Sequence, residues 1–222
     1  MGKKDGLQIA VIDYGMGNLF SVKQACEYAG LKPIITANES VIMNSDAIIL
    51  PGVGSFGVAM DNLCRLGLVQ PVKDVIESGK PFMGICLGMQ LLLSGSDEFG
   101  ESKGLGIIEG TVVKFACKIK EKNIKVPQVG WNQISQPPGM EKDSWDSSPL
   151  RDICNGEFMY FVHSYYSIPE NDEVVFSTTN YQGIEYCSSI SRKNVFAFQF
   201  HPEKSGVEGL KIYRNWATMI RD

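Results

Sequence analysis

The residues with the clearest chemical potential are Gly84-Ile85-Cys86-Leu87-Gly88, where a thiol stands at the centre of a G-x-nucleophile-x-G turn. Glycine on either side removes side chains that would collide around a sharp strand-to-helix turn, and such a turn lifts its central residue clear of the backbone. The flanks agree. Pro81-Phe82-Met83 reads as a buried strand, and Leu87 to Leu93 reads as the helix that follows. A thiol at a helix N-terminus sits where the dipole favours an anion, and the thiolate is the reactive form. Taken alone, these five residues also fit a buried cysteine in a Gly-rich strand.

A nucleophile of this kind needs a base, and the chain has only two histidines. His201 lies in Gln199-Phe200-His201-Pro202-Glu203-Lys204-Ser205, directly after an apolar run. Pro202 disfavours helix at His201. In an extended segment residues two apart face the same side, so the Glu203 carboxylate can hold the His201 imidazole in place. Nucleophile, base and orienting acid are then all present. His163, in Tyr160-Phe161-Val162-His163-Ser164-Tyr165-Tyr166, has no acidic neighbour in sequence. It reads either as a hydrogen-bonded structural histidine or as a second candidate base. An acyl-transfer site also needs donors for a developing oxyanion. The N–H of Leu87 is one candidate, and Val53 and Gly54 in the loop Pro51-Gly52-Val53-Gly54-Ser55-Phe56 are others.

These residues require a frame that brings strand ends together. In the first half, apolar runs at Gln8–Asp13, Lys32–Thr36, Ala47–Leu50 and Pro81–Ile85 alternate with helical stretches at Leu19–Ala29, Gly57–Leu66 and Val69–Ser78. Short apolar runs between helices indicate β-α-β units and a parallel sheet. The second half is richer in strands, at 110–115, 129–134, 158–163, 173–178, 183–190 and 195–200, and closes with a helix over Val207–Met219. Gln136 to Ser148 is polar and reads as a surface loop. The expected architecture is α/β: a mostly parallel central sheet flanked by helices, with antiparallel strands added in the second half.

Bulk properties narrow the class. A chain of 222 residues is long enough for a full core and is read as one domain, with residues 1–6 a flexible tail. A net charge of −4 argues against a general polyanion binder. There is no signal-peptide core and no apolar run of membrane-spanning length, so a cytoplasmic location is expected. The six cysteines are scattered without a C-x-x-C pair, which disfavours both a disulfide framework and structural zinc. Gly15-Met16-Gly17 starts like a dinucleotide fingerprint, but Phe20 stands where the third glycine belongs.

Taken together, the motifs resemble the class I, triad-type glutamine amidotransferases, most closely the glutaminase subunits of imidazole glycerol phosphate synthase. The resemblance runs over nearly the whole chain. It rests on Asp13-Tyr14-Gly15-Met16-Gly17-Asn18, the 51–56 loop, Gly84 to Gln90, Gly130-Trp131-Asn132-Gln133, Tyr160 to Tyr166 and Gln199 to Ser205. It implies a flavodoxin-like core, L-glutamine as substrate, no metal or organic cofactor, and a thioester on Cys86 with His201 and Glu203 completing the triad. It places Gly52, Gln90, Glu98, His163, Ser164 and Tyr165 around the substrate, which makes His163 pocket wall rather than base. It also implies a heterodimer with a HisF-like (β/α)8-barrel cyclase subunit that receives the ammonia, with Asn18, Trp131 and Lys204 as interface candidates. One position departs: the histidine-pathway family usually shows His where this chain has Gln128. On that ground a paralogous subunit feeding a surface-polysaccharide sugar amidation stays open. So do a stand-alone γ-glutamyl thiol hydrolase and a non-catalytic interaction module.

Overall fold

The computed structural model describes residues 6–119 and 122–221; the rest of the expected tail, residues 1–5, lies outside them. The first half alternates β1 (Gln8–Ile12), α1 (Leu19–Tyr28), β2 (Lys32–Thr36), α2 (Glu39–Asn44), β3 (Ala47–Gly52), α3 (Phe56–Arg65), α4 (Val69–Glu77) and β4 (Phe82–Cys86). A one-turn α5 (Leu87–Gln90) follows, then β5 (Leu93–Ser96), β6 (Ser102–Lys103), β7 (Ile108–Lys114), β8 (Lys118–Ile119) and β9 (Lys122–Asn123). The chain continues with β10 (Gln128–Ile134), β11 (Glu157–His163), β12 (Tyr165–Pro169), β13 (Val175–Tyr181), β14 (Ile184–Arg192), β15 (Val195–Phe198) and α6 (Gly206–Arg221).

One eleven-stranded sheet runs β2-β1-β3-β4-β15-β14-β12-β7-β5-β6, with β13 paired to β14. From β2 to β15 neighbouring strands are parallel; β14, β12 and β7 join antiparallel. This is the mixed sheet expected from the sequence. The central strands β3, β4 and β15 are buried along their whole length, as strands covered on both faces must be. Alternation divides the core in two. Ile9 and Val11 of β1 pack with α1 and α6, while Ala10 and Ile12 pack with α3 and α4. The ribbon β10–β11 stands apart from this sheet, touching it through a Ser135–Thr178 bridge.

Three local expectations change. The chain does not break at Pro51: β3 continues through Gly52, which pairs with Cys86 at the end of β4. The helix after Cys86 stops at Gln90 rather than Leu93, because Leu93 pairs with Ile108 and joins the sheet. The 136–148 segment has no regular structure but is not wholly at the surface. Trp145 is buried and donates Nε1–H to the Phe176 carbonyl.

Order in β4 and β15 positions the chemistry. In open parallel sheets functional groups gather beyond the carboxyl ends of the strands. Ala197 and Phe198 of β15 pair with Gly84 and Ile85 of β4. Continuing both strands brings Gln199 level with Cys86, with His201 just beyond.

Candidate active site

Cys86 closes β4 with φ 53° and ψ −108°, a left-handed conformation rarely adopted by a non-glycine residue. Such strain costs of order 1–3 kcal/mol and is retained where the surroundings enforce it. Gly88 is one enforcing contact: a Cβ there would lie 1.8 Å from the Leu50 carbonyl oxygen. The elbow therefore presses directly against β3, and any side chain at position 88 would push it away. Because α5 is a single turn, its dipole is small, and the anion-favouring field expected from a longer helix is reduced.

His201 supplies what the short helix does not. Its Nδ1–H donates to Glu203 Oε1 at 2.8 Å, and both side chains are buried. The contact arises differently from the extended geometry expected. His201 is extended, but Pro202 to Lys204 turn as a 3-10 helix, and that turn folds the carboxylate back onto the ring. The His201 backbone is anchored at both ends: its N–H donates to the Tyr160 carbonyl, and its carbonyl accepts from Ser205 Oγ. The ring's Nε2 is turned to the Cys86 side and lacks an aligned hydrogen bond of its own. Such bonds are often loose before substrate arrives. Burial works against the imidazolium, but the charge of Cys86 and its sulfur on the Nε2 side, with the hydrogen bond to Glu203 and the Glu203 charge, outweigh it. His201 therefore holds its proton well above the ordinary imidazole range.

His163 lies in a different setting. Its Nδ1 bonds the Tyr165 carbonyl at 2.8 Å and its Nε2 meets the Tyr186 hydroxyl at 3.2 Å. Phe115, Tyr186 and Phe161 surround the ring at centroid distances of 5.2, 5.4 and 5.7 Å. Burial pulls its pKa down to about 4, so the ring is neutral near pH 7. A carbonyl only accepts, so Nδ1 carries the proton and Nε2 is an acceptor. The side-chain amide of Gln128, opposite His163 in the β10–β11 ladder, lies 3.0 Å from the same Tyr186 hydroxyl. Gln128 is thus buried behind the pocket wall and offers nothing to a partner. Its departure from histidine bears on this wall.

A cleft of about 430 Å³ opens at the elbow. Cys86, Leu87, Val53, Gly54, Gln90, Glu98, His163, Ser164 and Tyr165 all line it. Gly52 lies one residue behind, pressed so closely that a Cβ would meet the Tyr14 hydroxyl at 2.2 Å and Leu87 Cβ at 2.9 Å. That hydroxyl donates to the Pro51 carbonyl, steadying the loop that carries Val53 and Gly54. Burial, then the charge of Cys86, pushes Tyr14 ionisation far up, so it stays a neutral donor. Glu98 accepts from the Phe56 N–H at the start of α3, and Lys114 brings a cation to the same cleft. A carboxylate and an ammonium in one cleft suit a zwitterionic amino-acid head.

The other sequence candidates lie outside the cleft. Asn18 caps α1 through its side chain, accepting from Ser21 N–H. Trp131 is 54% exposed, beside Tyr160 on the β10–β11 ribbon, and Lys204 is exposed on the turn after His201. The sequence motifs assign no role to Tyr14, Lys114 or Gln199: Tyr14 and Gln199 lie within the 13–18 and 199–205 motifs, and Lys114 has no local signal.

Comparison with known proteins agrees in extent. Residues 10–219 match the family model described as glutamine amidotransferase class-I. The chain is 44% identical over 217 residues to the imidazole glycerol phosphate synthase subunit HisH of Geobacter sulfurreducens, covering 96% of this chain and 99% of that one. It is 46% identical to the protein of the same description from Syntrophotalea carbinolica, covering 95% of this chain and 100% of that one. In fold it is similar to the PurLQS structure from Thermotoga maritima, with a TM-score of 0.69 at 18% identity, covering 96% and 98% of the two chains.

Proposed function

This chain belongs to the class I glutamine amidotransferase family, and on that premise we propose that it is the glutaminase subunit of an imidazole glycerol phosphate synthase, acting in histidine biosynthesis. Near full-length identity to HisH subunits supports the pathway. The observation that carries the chemistry is the Cys86 elbow, which lines the cleft, with the buried His201–Glu203 pair beside its sulfur.

The geometry supports the following steps. The thiolate of Cys86 attacks the side-chain amide carbon of glutamine. Negative charge gathers on the amide oxygen, towards the N–H of Leu87 and an N–H of Val53 or Gly54. His201, already protonated, gives its Nε2 proton to the departing nitrogen, and ammonia leaves a γ-glutamyl thioester. The now neutral His201 takes a proton from water as the water attacks the thioester. Collapse frees glutamate and restores the thiolate–imidazolium pair. Glu203 holds the ring in the tautomer that keeps Nε2 towards sulfur and steadies the cation. Glu98 meets the substrate ammonium, Lys114 the carboxylate, and Gly52, Gln90 and the 163–165 segment shape the rest. No step calls for a metal or organic cofactor.

Ammonia is nucleophilic only while unprotonated, so release into a docked partner rather than water preserves it. The proposed partner is a HisF-like (β/α)8-barrel cyclase subunit in a heterodimer, with Asn18, Trp131 and Lys204 as candidate contacts to it. The whole chain is proposed to act as one amidotransferase domain in the cytoplasm; no helix among the described residues is long and apolar enough to cross a membrane.

The test is Cys86→Ala assembled with the cyclase subunit. Glutamine-dependent synthesis is expected to vanish while synthesis from added ammonium salt persists. Glutamine-dependent synthesis at the wild-type rate in that variant rejects the reading.

A further inference from the structure

Gln199 lies between β15 and His201 with no exposed surface, and no step above uses it. A relay of three hydrogen bonds, two of them its own, connects it to the site. Gln90 Nε2 donates to the Tyr165 carbonyl at 2.8 Å and to Gln199 Oε1 at 3.0 Å. Gln199 Nε2 in turn donates to Cys86 Sγ at 3.6 Å, a normal length for a bond to sulfur.

The direction of this relay is determined at one end. Side-chain amides can be turned end for end with little change in shape, so their orientation must be inferred from partners. The Tyr165 carbonyl can only accept, so the Gln90 atom facing it is nitrogen. The second hydrogen on that nitrogen points at Gln199, which must answer with oxygen. The Gln199 nitrogen then has one place to go, the sulfur. Turning either amide over would oppose oxygen to oxygen or nitrogen to nitrogen in a buried site, at the cost of unsatisfied polar groups.

We propose that Gln199 is a further catalytic residue, a buried N–H donor that holds the Cys86 sulfur as thiolate, and that the same relay commits Gln90 to present its oxygen to the substrate. A donor bonded to the charged form of a group favours that form. The His201 imidazolium stabilises that charge from one side, α5 is too short to add much, and the Gln199 N–H donates from another. With both Gln90 amide hydrogens spent, its Oε1 is the one polar atom of the relay left for the cleft. Gln90 therefore acts as an acceptor, suited to an N–H-bearing substrate group and unsuited to a carboxylate.

Other charged or titratable groups around the sulfur define the controls. His201 faces it from beyond β15, Tyr14 from the loop after β1, and Tyr186 from β14; Glu98 and Lys114 share the cleft. Burial raises both tyrosines well above their ordinary range, so they stay neutral through the working pH span. The proposal rests on Cys86 being the nucleophile of the glutaminase reading, so the test uses a reaction that needs neither glutamine nor a partner.

The experiment is the pH dependence of Cys86 alkylation by iodoacetamide in the full chain, for wild type, Gln199→Met and Gln199→Glu, with modification at Cys86 read by peptide mass. Loss of the donor is expected to move the half-maximal pH upward in Gln199→Met. In Gln199→Glu, where an anion replaces the donor, it is expected to move by about one unit or more, a roughly tenfold loss of rate at neutral pH. Unchanged profiles in both variants overturn the proposal, even if glutamine turnover is lost. Shifted profiles in the variants, with a wild-type chain that never hydrolyses glutamine with any cyclase subunit, keep the donor and reject the glutaminase reading. Should neither variant fold, the ¹⁵N-labelled native chain decides: the Gln199 side-chain amide signals shift when Cys86 is alkylated, and signals that do not move overturn the proposal.

Discussion

His201 and His163 are both buried, and each uses Nδ1 for a hydrogen bond of 2.8 Å. For His201 the partner is the Glu203 carboxylate, with a thiol on the ring's far side. For His163 it is the Tyr165 carbonyl, with three aromatic rings around it. Burial opposes the charged form in both. At His201 neighbouring charge overcomes that penalty and the proton stays on; at His163 nothing does, and the pKa falls to about 4. Burial alone therefore does not tell a catalytic histidine from a structural one. The deciding quantity is the anion within reach, which is a property of the fold around each ring.

Substitution separates the two most strongly in turnover. His201→Asn in the assembled complex is expected to lower kcat/KM for glutamine by about 10³-fold, the usual worth of a positioned acid–base group. His163→Asn is expected to stay within about tenfold of wild type, mostly through KM, because pocket shape rather than proton transfer changes. Steady-state glutamate release measures both, and the larger loss at His163 would reverse the comparison.

A smaller effect distinguishes them by pH. An unfolded chain binds a proton at His163 near pH 6.5, while the folded chain refuses it until about 4. The neutral buried ring is thus compatible with full stability above pH 6.5, and stability is lost as pH falls from there towards 4. Between pH 7.5 and 5 this amounts to about 2 kcal/mol. His163→Leu removes that slope, so urea midpoints of wild type and variant should converge by about this amount on acidification. Parallel midpoints would mean the ring is not held neutral. His201 has the opposite sign: its stabilisation is present below pH 6.5 and is lost as pH rises through its elevated folded value.

Much of this site was legible because its signals are local. The glycines around Cys86, the apolar run before it and the two-residue spacing of His201 and Glu203 all lie within short windows. Short apolar runs likewise marked the central strands, since β3, β4 and β15 are covered on both faces. The failures are non-local. Leu91-Leu92-Leu93 fits a helix or a buried strand equally by periodicity, and pairing of Leu93 with Ile108 decides it. Strand β12 has no local signal of its own, since its pairing with β7 is what defines it. Short α2 was missed although Asn38 caps it and Glu39 sits in its first turn. Gln199 and Cys86 are 113 residues apart and meet only because β15 lies parallel to β4. Read from the sequence, Gln128 leaves the partner open; the burial of its side chain beside Tyr186 is set by the fold and has no local signal.

The most direct test of the central claim is to trap the intermediate. The chain, assembled with its cyclase subunit and mixed with glutamine, is quenched in acid and digested, and every cysteine peptide is weighed. The account predicts a single γ-glutamyl adduct, on the peptide carrying Cys86, appearing before glutamate and absent from Cys86→Ala. Steady glutamate release without that adduct, or with the adduct on buried Cys26 or Cys187, would contradict it.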